Sequence, residues 1–383
     1  MDISEQYNRY KKYLEFDPSN TQLFAQTIEF ALKANDFSGA WELAVKAIED
    51  HPEDLDCRYQ AVTAALATHH YNDAIEWLSV VINTVQPPVW ALYNHVYSLF
   101  QVGDYDCVID YIDSIQTQVK DVPKIMLLKA RSLHFQAEYT ACEEVLVSYL
   151  SSNPEDAEAL GCLSLLLLDM DNIERAEQTG LKALENDASQ FEALLSMATI
   201  KLTLYDPKSA LTFIDRALSI APKAGRALAV KGQLLLIGND YEQATAVFET
   251  ALETMPSHVG TWHGLAWCYL LEDQYDKCQR AFENALHLDH NFSESHGGLA
   301  LVSAIQNKLS VADEHLVRAL RLNRRCFTGL FAKAMLLRKR GKDKEADKII
   351  TRILKSPAAA GALPLREVAG NLISKLDESL DDQ

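Results

Sequence analysis

The chain has 383 residues, 48% of them hydrophobic, and a formal net charge of −18. That balance argues against a duplex-DNA binder, because a polyanion repels another. No apolar run reaches the roughly 18 residues of a membrane span, and residues 1–6 carry no signal-peptide core. The seven cysteines are scattered and include no C-x-x-C, so reduced core thiols in a cytoplasmic protein are expected, with no metal site or cofactor. Residues 4–17 open the chain. Tyr7, Tyr10, Tyr13 and Leu14 form an apolar stripe opposite Glu5, Arg9, Lys11 and Lys12, which predicts a helix that Pro18 stops. It reads as half of a helix pair, so residues 1–20 are expected to cap the first complete pair.

From residue 21 a unit of 34 residues recurs. Residues 225–258, GRALAVKGQLLLIGNDYEQATAVFETALETMPSH, show it most plainly. Gly232 predicts a flat spot where another backbone comes close. Gly238-Asn239 predicts a break, because both residues tolerate the left-handed conformation of a helix end. Tyr241 starts a second helix with Ala244, Phe248 and Ala251 on one face, and Pro256 stops it. Stepping by one unit, the Ala244 column reads Ala40, Ala74, Val108, Cys142, Ala176, Ala210, Ala244, Cys278, Ala312, Ala346. The Ala251 column reads Ala47, Val81, Ile115, Tyr149, Ala183, Ala217, Ala251, Ala285, Ala319, Ile353. Several columns in one phase are not chance.

The pattern resembles the tetratricopeptide repeat family, a helix–turn–helix with small, aromatic and proline positions. Residues 259–292 match best, with Trp262, Leu265, Ala266, Tyr269, Tyr275, Phe282 and Ala285 at the expected offsets. The resemblance covers ten units, 21–360. It implies an all-α, right-handed superhelical solenoid with capping helices at both ends and with first helices lining a concave groove. Units 2 to 4 depart most, since Val62, Val96, Val81, Ile115 and Tyr149 replace small residues, and different helix-packing angles are expected there.

The resemblance places particular residues inward. In units 2 to 4 these are Tyr59, Trp90, Tyr93, Tyr97, Phe100, Lys124, Arg131 and His134, with Asn94 beside them. Rings supply contact area at low entropy cost, and amide and basic groups fix a peptide's polar atoms, so an extended partner segment suits this wall. The same rings could instead fill gaps around the large Val and Ile substitutions. Asn94 and Lys124 match two of the five positions of the family's carboxylate clamp, while Tyr59, Thr63 and Leu128 occupy the others, so that clamp is incomplete. In units 5 and 6 the inward positions are aliphatic, Leu165, Leu168, Leu195 and Leu202, with Glu158 and Glu192 at the lip. In units 7 and 8, His263 and Trp267 are expected to face the groove.

Units 9 and 10 change sign. From Leu316 to Lys355 there are 13 Lys or Arg against 3 acids, a local net charge of +10 that leaves −28 for the rest. Arg324, Arg325, Arg338, Lys339, Arg340 and Lys342 form the expected basic patch. It suits an acidic partner, nucleic acid or an anionic surface, or another copy's acidic region in a homo-oligomer joined by oppositely charged ends; it is equally a solvated face. Residues 361–383 are expected to form a C-terminal capping helix and an acidic tail. No phosphate loop, G-x-S-x-G or H-E-x-x-H occurs. The expectation is therefore a non-catalytic scaffold or adaptor, or alternatively a chaperone-like or assembly factor for a secretion, pilus or regulatory complex.

Overall fold

The computed structural model describes residues 2–84, 86–115 and 123–355, and its regular structure is entirely α-helical. The helices are α1 (Ile3–Phe16), α2 (Thr21–Lys33), α3 (Phe37–Asp50), α4 (Leu55–Ala67), α5 (Tyr71–Ile82), α6 (Val89–Gln101), α7 (Tyr105–Ser114), α8 (Ile125–Phe135), α9 (Tyr139–Ser152), α10 (Ala157–Asp169) and α11 (Ile173–Asn186). They continue as α12 (Phe191–Thr203), α13 (Pro207–Ile220), α14 (Gly225–Ile237), α15 (Tyr241–Thr254), α16 (Val259–Leu271), α17 (Tyr275–Leu288), α18 (Ser293–Ile305), α19 (Leu309–Leu322), α20 (Phe327–Lys339) and α21 (Asp343–Lys355). Every second helix, from Phe37 to Asp343, begins on the 34-residue grid, and only α8 among the first helices leaves it, starting two residues late. The expected C-terminal cap lies outside the described residues.

The turns repeat as strictly as the helices. Asn35, His69, Gly103, Ala137, Asp171, Tyr205, Asn239, Asp273, Asn307 and Gly341 all adopt positive φ, from 58° to 81°. Each closes its first helix with a bond from the next residue's N–H back to a carbonyl five residues earlier. Asp240 N donates to Leu235 O at 3.0 Å, and Lys308 N to Ser303 O at 2.8 Å. This is a Schellman closure, and it satisfies carbonyls the helix end leaves open. The residue after the left-handed one then caps the second helix. Asp36, Asp104, Asn172, Asp206 and Asp240 each accept a bond from the backbone N–H three residues on. In unit 7 the left-handed residue is Asn239, not Gly238, whose φ is −73°. Both small-residue columns are buried throughout, as helices pressed together along them require.

The packing gathers into two compact units, residues 1–166 and 167–383, with the division falling within α10. In the first, Phe24 and Ile28 of α2 are fully buried among Ala40, Ala44, Ala61 and Ala65. The N-terminal α1 covers this core, with the Tyr7 hydroxyl donating to Asp36 Oδ2 at 3.0 Å and Tyr10 stacked on Phe30 at 4.6 Å. In the second, Phe248, Phe282 and Phe331 are fully buried, each stabilising the fold by roughly 2–3 kcal/mol. Gly232 does not receive a backbone. It receives the ring of Phe248, whose Cε1 lies 2.7 Å from where a Cβ would stand. The cysteines are all free, and six of the seven are buried.

Candidate partner-binding site

In the first unit, α4, α6 and α8 bring together most of the expected groove residues. Tyr59 meets the edge of Trp90, with centroids 5.0 Å apart at 75°. One turn along α6, Tyr93 and Tyr97 lie nearly parallel, 6.3 Å apart at 11°. The valines and leucines beside them, Val62, Leu92, Val96 and Leu128, turn to the core, so the rings cannot follow them in. Tyr59 is 39% exposed, and Trp90, Tyr93, Asn94 and Tyr97 are half-buried. Among the described residues these five make no side-chain hydrogen bond to another residue.

Polar groups close one end of this wall. Arg131 Nη1 donates to Glu158 Oε1 at 2.8 Å, and Lys124 Nζ reaches Glu158 Oε2 at 3.4 Å. Burial raises the Tyr93 phenol above its usual range, helped by Glu158 and Tyr97 and opposed by Arg131 and Lys124. Tyr93 therefore feels all three charged groups, and aromatic and ionic parts of the wall adjoin. His134 stands edge-on to Tyr139, 5.8 Å away. Glu158 is the member that the sequence reading placed elsewhere, at the lip of units 5 and 6. Its signal was the register: it stands one 34-residue step after Lys124, so the two occupy the same column of successive units.

His263 and Trp267 require a correction. Trp267 is 1% exposed and belongs to the apolar cluster with Leu236, Leu270 and Leu301. His263 is 9% exposed, with Nε2 bonded to Ser295 Oγ at 2.8 Å and its ring between the edges of Phe282 and Phe292. Burial pushes the His263 pKa down to about 4. Neither residue presents a face to a partner. The physical reason is that α16, VGTWHGLAWCYLL, carries neither a charged nor an amide side chain, unlike α6 with Asn94 and Gln101, and a helix apolar on nearly all sides is buried on nearly all sides.

The basic patch is partly neutralised within the chain. Arg340 pairs with Asp313, Arg338 with Asp347 at 3.3 Å, and Lys342 with Glu345 at 3.8 Å. Arg324, Arg325 and Lys339 are exposed. Lys344, Lys348 and Arg352 add an exposed stripe at four-residue spacing on α21. Among the described residues, no helix is long and apolar enough to cross a membrane.

Helix pairs repeating on one 34-residue grid, each closed by a left-handed residue, define a helical-repeat protein whose first unit carries an aromatic wall. The tetratricopeptide repeat family matches residues 235–302. The human IFIT1 dimer with m7Gppp-AAAA has a similar fold, with a TM-score of 0.54 and 15% identity over 92% of this chain and 94% of that one. The APC/C hetero-tetramer Cut9-Hcn1 gives a TM-score of 0.50 and 14% identity over 99% of this chain and 83% of that one. Protein bimA of Emericella nidulans is 21% identical over 192 residues, 50% of this chain but 24% of its own length. The chain thus carries a tetratricopeptide repeat match at residues 235–302 within a solenoid-like helical repeat of the same period, and it spans about a quarter of the length of bimA.

Proposed function

We propose that the protein is a non-catalytic scaffold whose first unit holds an extended segment of a partner protein against α4, α6 and α8. One observation carries this reading. Tyr59, Trp90, Tyr93, Asn94 and Tyr97 share one wall, partly exposed, with polar tips that bond no other described residue. Aromatic anchors of this kind supply most of an interface's binding energy, and an amide among them fixes the peptide backbone. The Arg131–Lys124–Glu158 cluster would orient the segment, since its charges bias encounter and register more than affinity. The likeness to Cut9-Hcn1, by its name part of an assembly, favours a scaffold over an enzyme. The test is affinity capture from the native cell, followed by mass spectrometry, with the wild type beside Trp90→Ala and Tyr93→Ala. Loss of a common partner at unchanged helicity supports the proposal, and identical recovery in both variants counts against it.

The exposed Arg324, Arg325 and Lys339, with the α21 stripe, favour a second reading in which this end binds an acidic partner or RNA. The IFIT1 neighbour carries a capped oligonucleotide by its name. Retention on RNA falling steeply with salt, and lost on replacing Arg324 and Arg325 by Glu, would support it; no retention at low salt ends it.

A further inference from the structure

Building on the reading of the α4–α6–α8 wall as a peptide site, we infer that its occupant is a proline-rich segment in the polyproline II conformation, with an acidic residue at the Lys124 end. An aromatic stripe along α6 is the starting point. Trp90, Tyr93, Tyr97 and Phe100 follow one another at steps of three, four and three residues. They therefore share one face of the helix over about 15 Å. Tyr59 meets Trp90 at one end of the stripe. At the other end the Phe100 ring lies 5.9 Å from that of Phe135, which is 66% exposed and stacked on Tyr105 at 5.0 Å and 3°. Leu92, Val96 and Leu99 supply the core from a different face of α6.

The polar atoms of the wall select among the ways a peptide can be held. Trp90 Nε1–H only donates, and the hydroxyls of Tyr59, Tyr93 and Tyr97 and the Asn94 amide donate as well. None of them bonds another described residue. A partner added as a β-strand needs a free sheet edge, and the regular structure of the described residues is all helix. A helical partner keeps its own carbonyls bonded, so it would cover these donors without offering them acceptors. A polyproline II segment has no internal hydrogen bonds, and its prolines have no N–H. Its main chain thus presents carbonyl acceptors alone. Donors set among rings complement such a chain, whose pyrrolidines pack on the ring faces. At ~3.1 Å per residue, the α6 stripe spans roughly five residues of it. The segment is also extended before it binds, so little ordering entropy is lost. The stripe carries no charge of its own. Lys124, with its side chain 61% exposed and Nζ 3.4 Å from Glu158, is open to an acidic side chain flanking the prolines.

The test titrates the full chain into a fluorescein-labelled peptide of one Asp followed by roughly nine prolines, read by fluorescence polarisation. The peptide ends in an amide, so no terminal carboxylate contributes. Saturable binding is expected, and none to a peptide with Gly and Ser in place of the prolines. Trp90→Ala should weaken binding at least ~10-fold. Tyr97→Phe, which removes a donor and keeps the ring, should weaken it about 2–10-fold, and it decides alone if Trp90→Ala loses helicity. Lys124→Glu should weaken the Asp peptide more than its Asn counterpart; equal losses would overturn the acidic end. No saturable binding, equal binding of the Gly-Ser peptide, or wild-type affinity in Tyr97→Phe would overturn the inference. If peptides selected from a random library are released by Trp90→Ala yet hold no proline run, and the proline peptide does not bind, the polyproline assignment fails while the wall remains a peptide site. If neither kind of peptide binds there, both fail.

Discussion

Phe248 slides the edge of its ring between two glycines on different helices, Gly232 of α14 and Gly264 of α16. A Cβ added at Gly264 would stand 2.5, 2.7 and 2.9 Å from Cζ, Cε1 and Cε2 of that ring. The ring cannot retreat, because Gly232 meets the same edge at 2.7–2.8 Å and Phe248 is fully buried. Overpacking of this kind costs ~1–3 kcal/mol, against which alanine regains about 1 kcal/mol of helix propensity. Gly264→Ala is therefore expected to destabilise the protein by roughly 1 kcal/mol. Phe248→Leu alone should cost roughly 1–2 kcal/mol through the space it opens. In the double variant the new methyl group occupies part of that space, so the losses should fall short of additive by at least ~0.5 kcal/mol. Urea denaturation of all four proteins, followed by far-UV circular dichroism at constant m, measures the cycle. Strict additivity, or a stabilising Gly264→Ala, would refute close packing of the ring between the helices.

The turns and the buried histidines supply two more predictions. Ala137 is exposed and adopts a φ of 61°. Ala137→Gly removes a left-handed penalty of ~1–2 kcal/mol and restores unfolded-state freedom of ~0.4–1 kcal/mol, so it should raise the urea midpoint slightly. A lowered midpoint would mean the turn strain is not there. His263 and His95 are both pushed down to about 4 by burial. Their native pKa values lie below the unfolded value, so the unfolded chain binds the protons first. Their stability contribution is complete above about pH 6.5 and is lost as pH falls toward 4, at about 1.4 kcal/mol per pH unit for each group. In His263→Gln the dependence of unfolding free energy on pH between 6.5 and 4.5 should flatten by about one proton. An unchanged slope would show that the ring is not held neutral.

Much of the architecture was readable because the repeat is written in side-chain size. The Ala244 and Ala251 columns mark where two helices touch, and small residues there leave a record in the sequence. The left-handed turn left a weaker record. Seven of its ten positions hold Asn, Asp or Gly, which tolerate that conformation, while at His69, Ala137 and Tyr205 the Schellman bonds and flanking helices impose it without a sequence signal. The offset rule that placed Trp90 and Tyr93 on the wall failed for His263 and Trp267, since it weighs position within one unit and not whether the helix has any polar side. Pairing across units, as between Lys124 and Glu158, was present in the register but becomes an interaction only once the helices stand side by side. The count of basic residues in units 9 and 10 likewise overstated free charge, because Arg338, Arg340 and Lys342 each have an acidic neighbour in the folded chain.

Whether the α4–α6–α8 wall holds another protein's segment is decided by selecting displayed peptides against the full chain and mapping the bound state by hydrogen exchange. Slowed exchange in α4, α6 and α8, with selected peptides released by Trp90→Ala or Tyr93→Ala, is the predicted result. Peptides that bind both variants as tightly as the wild type, or protection confined to other helices, would contradict the proposal.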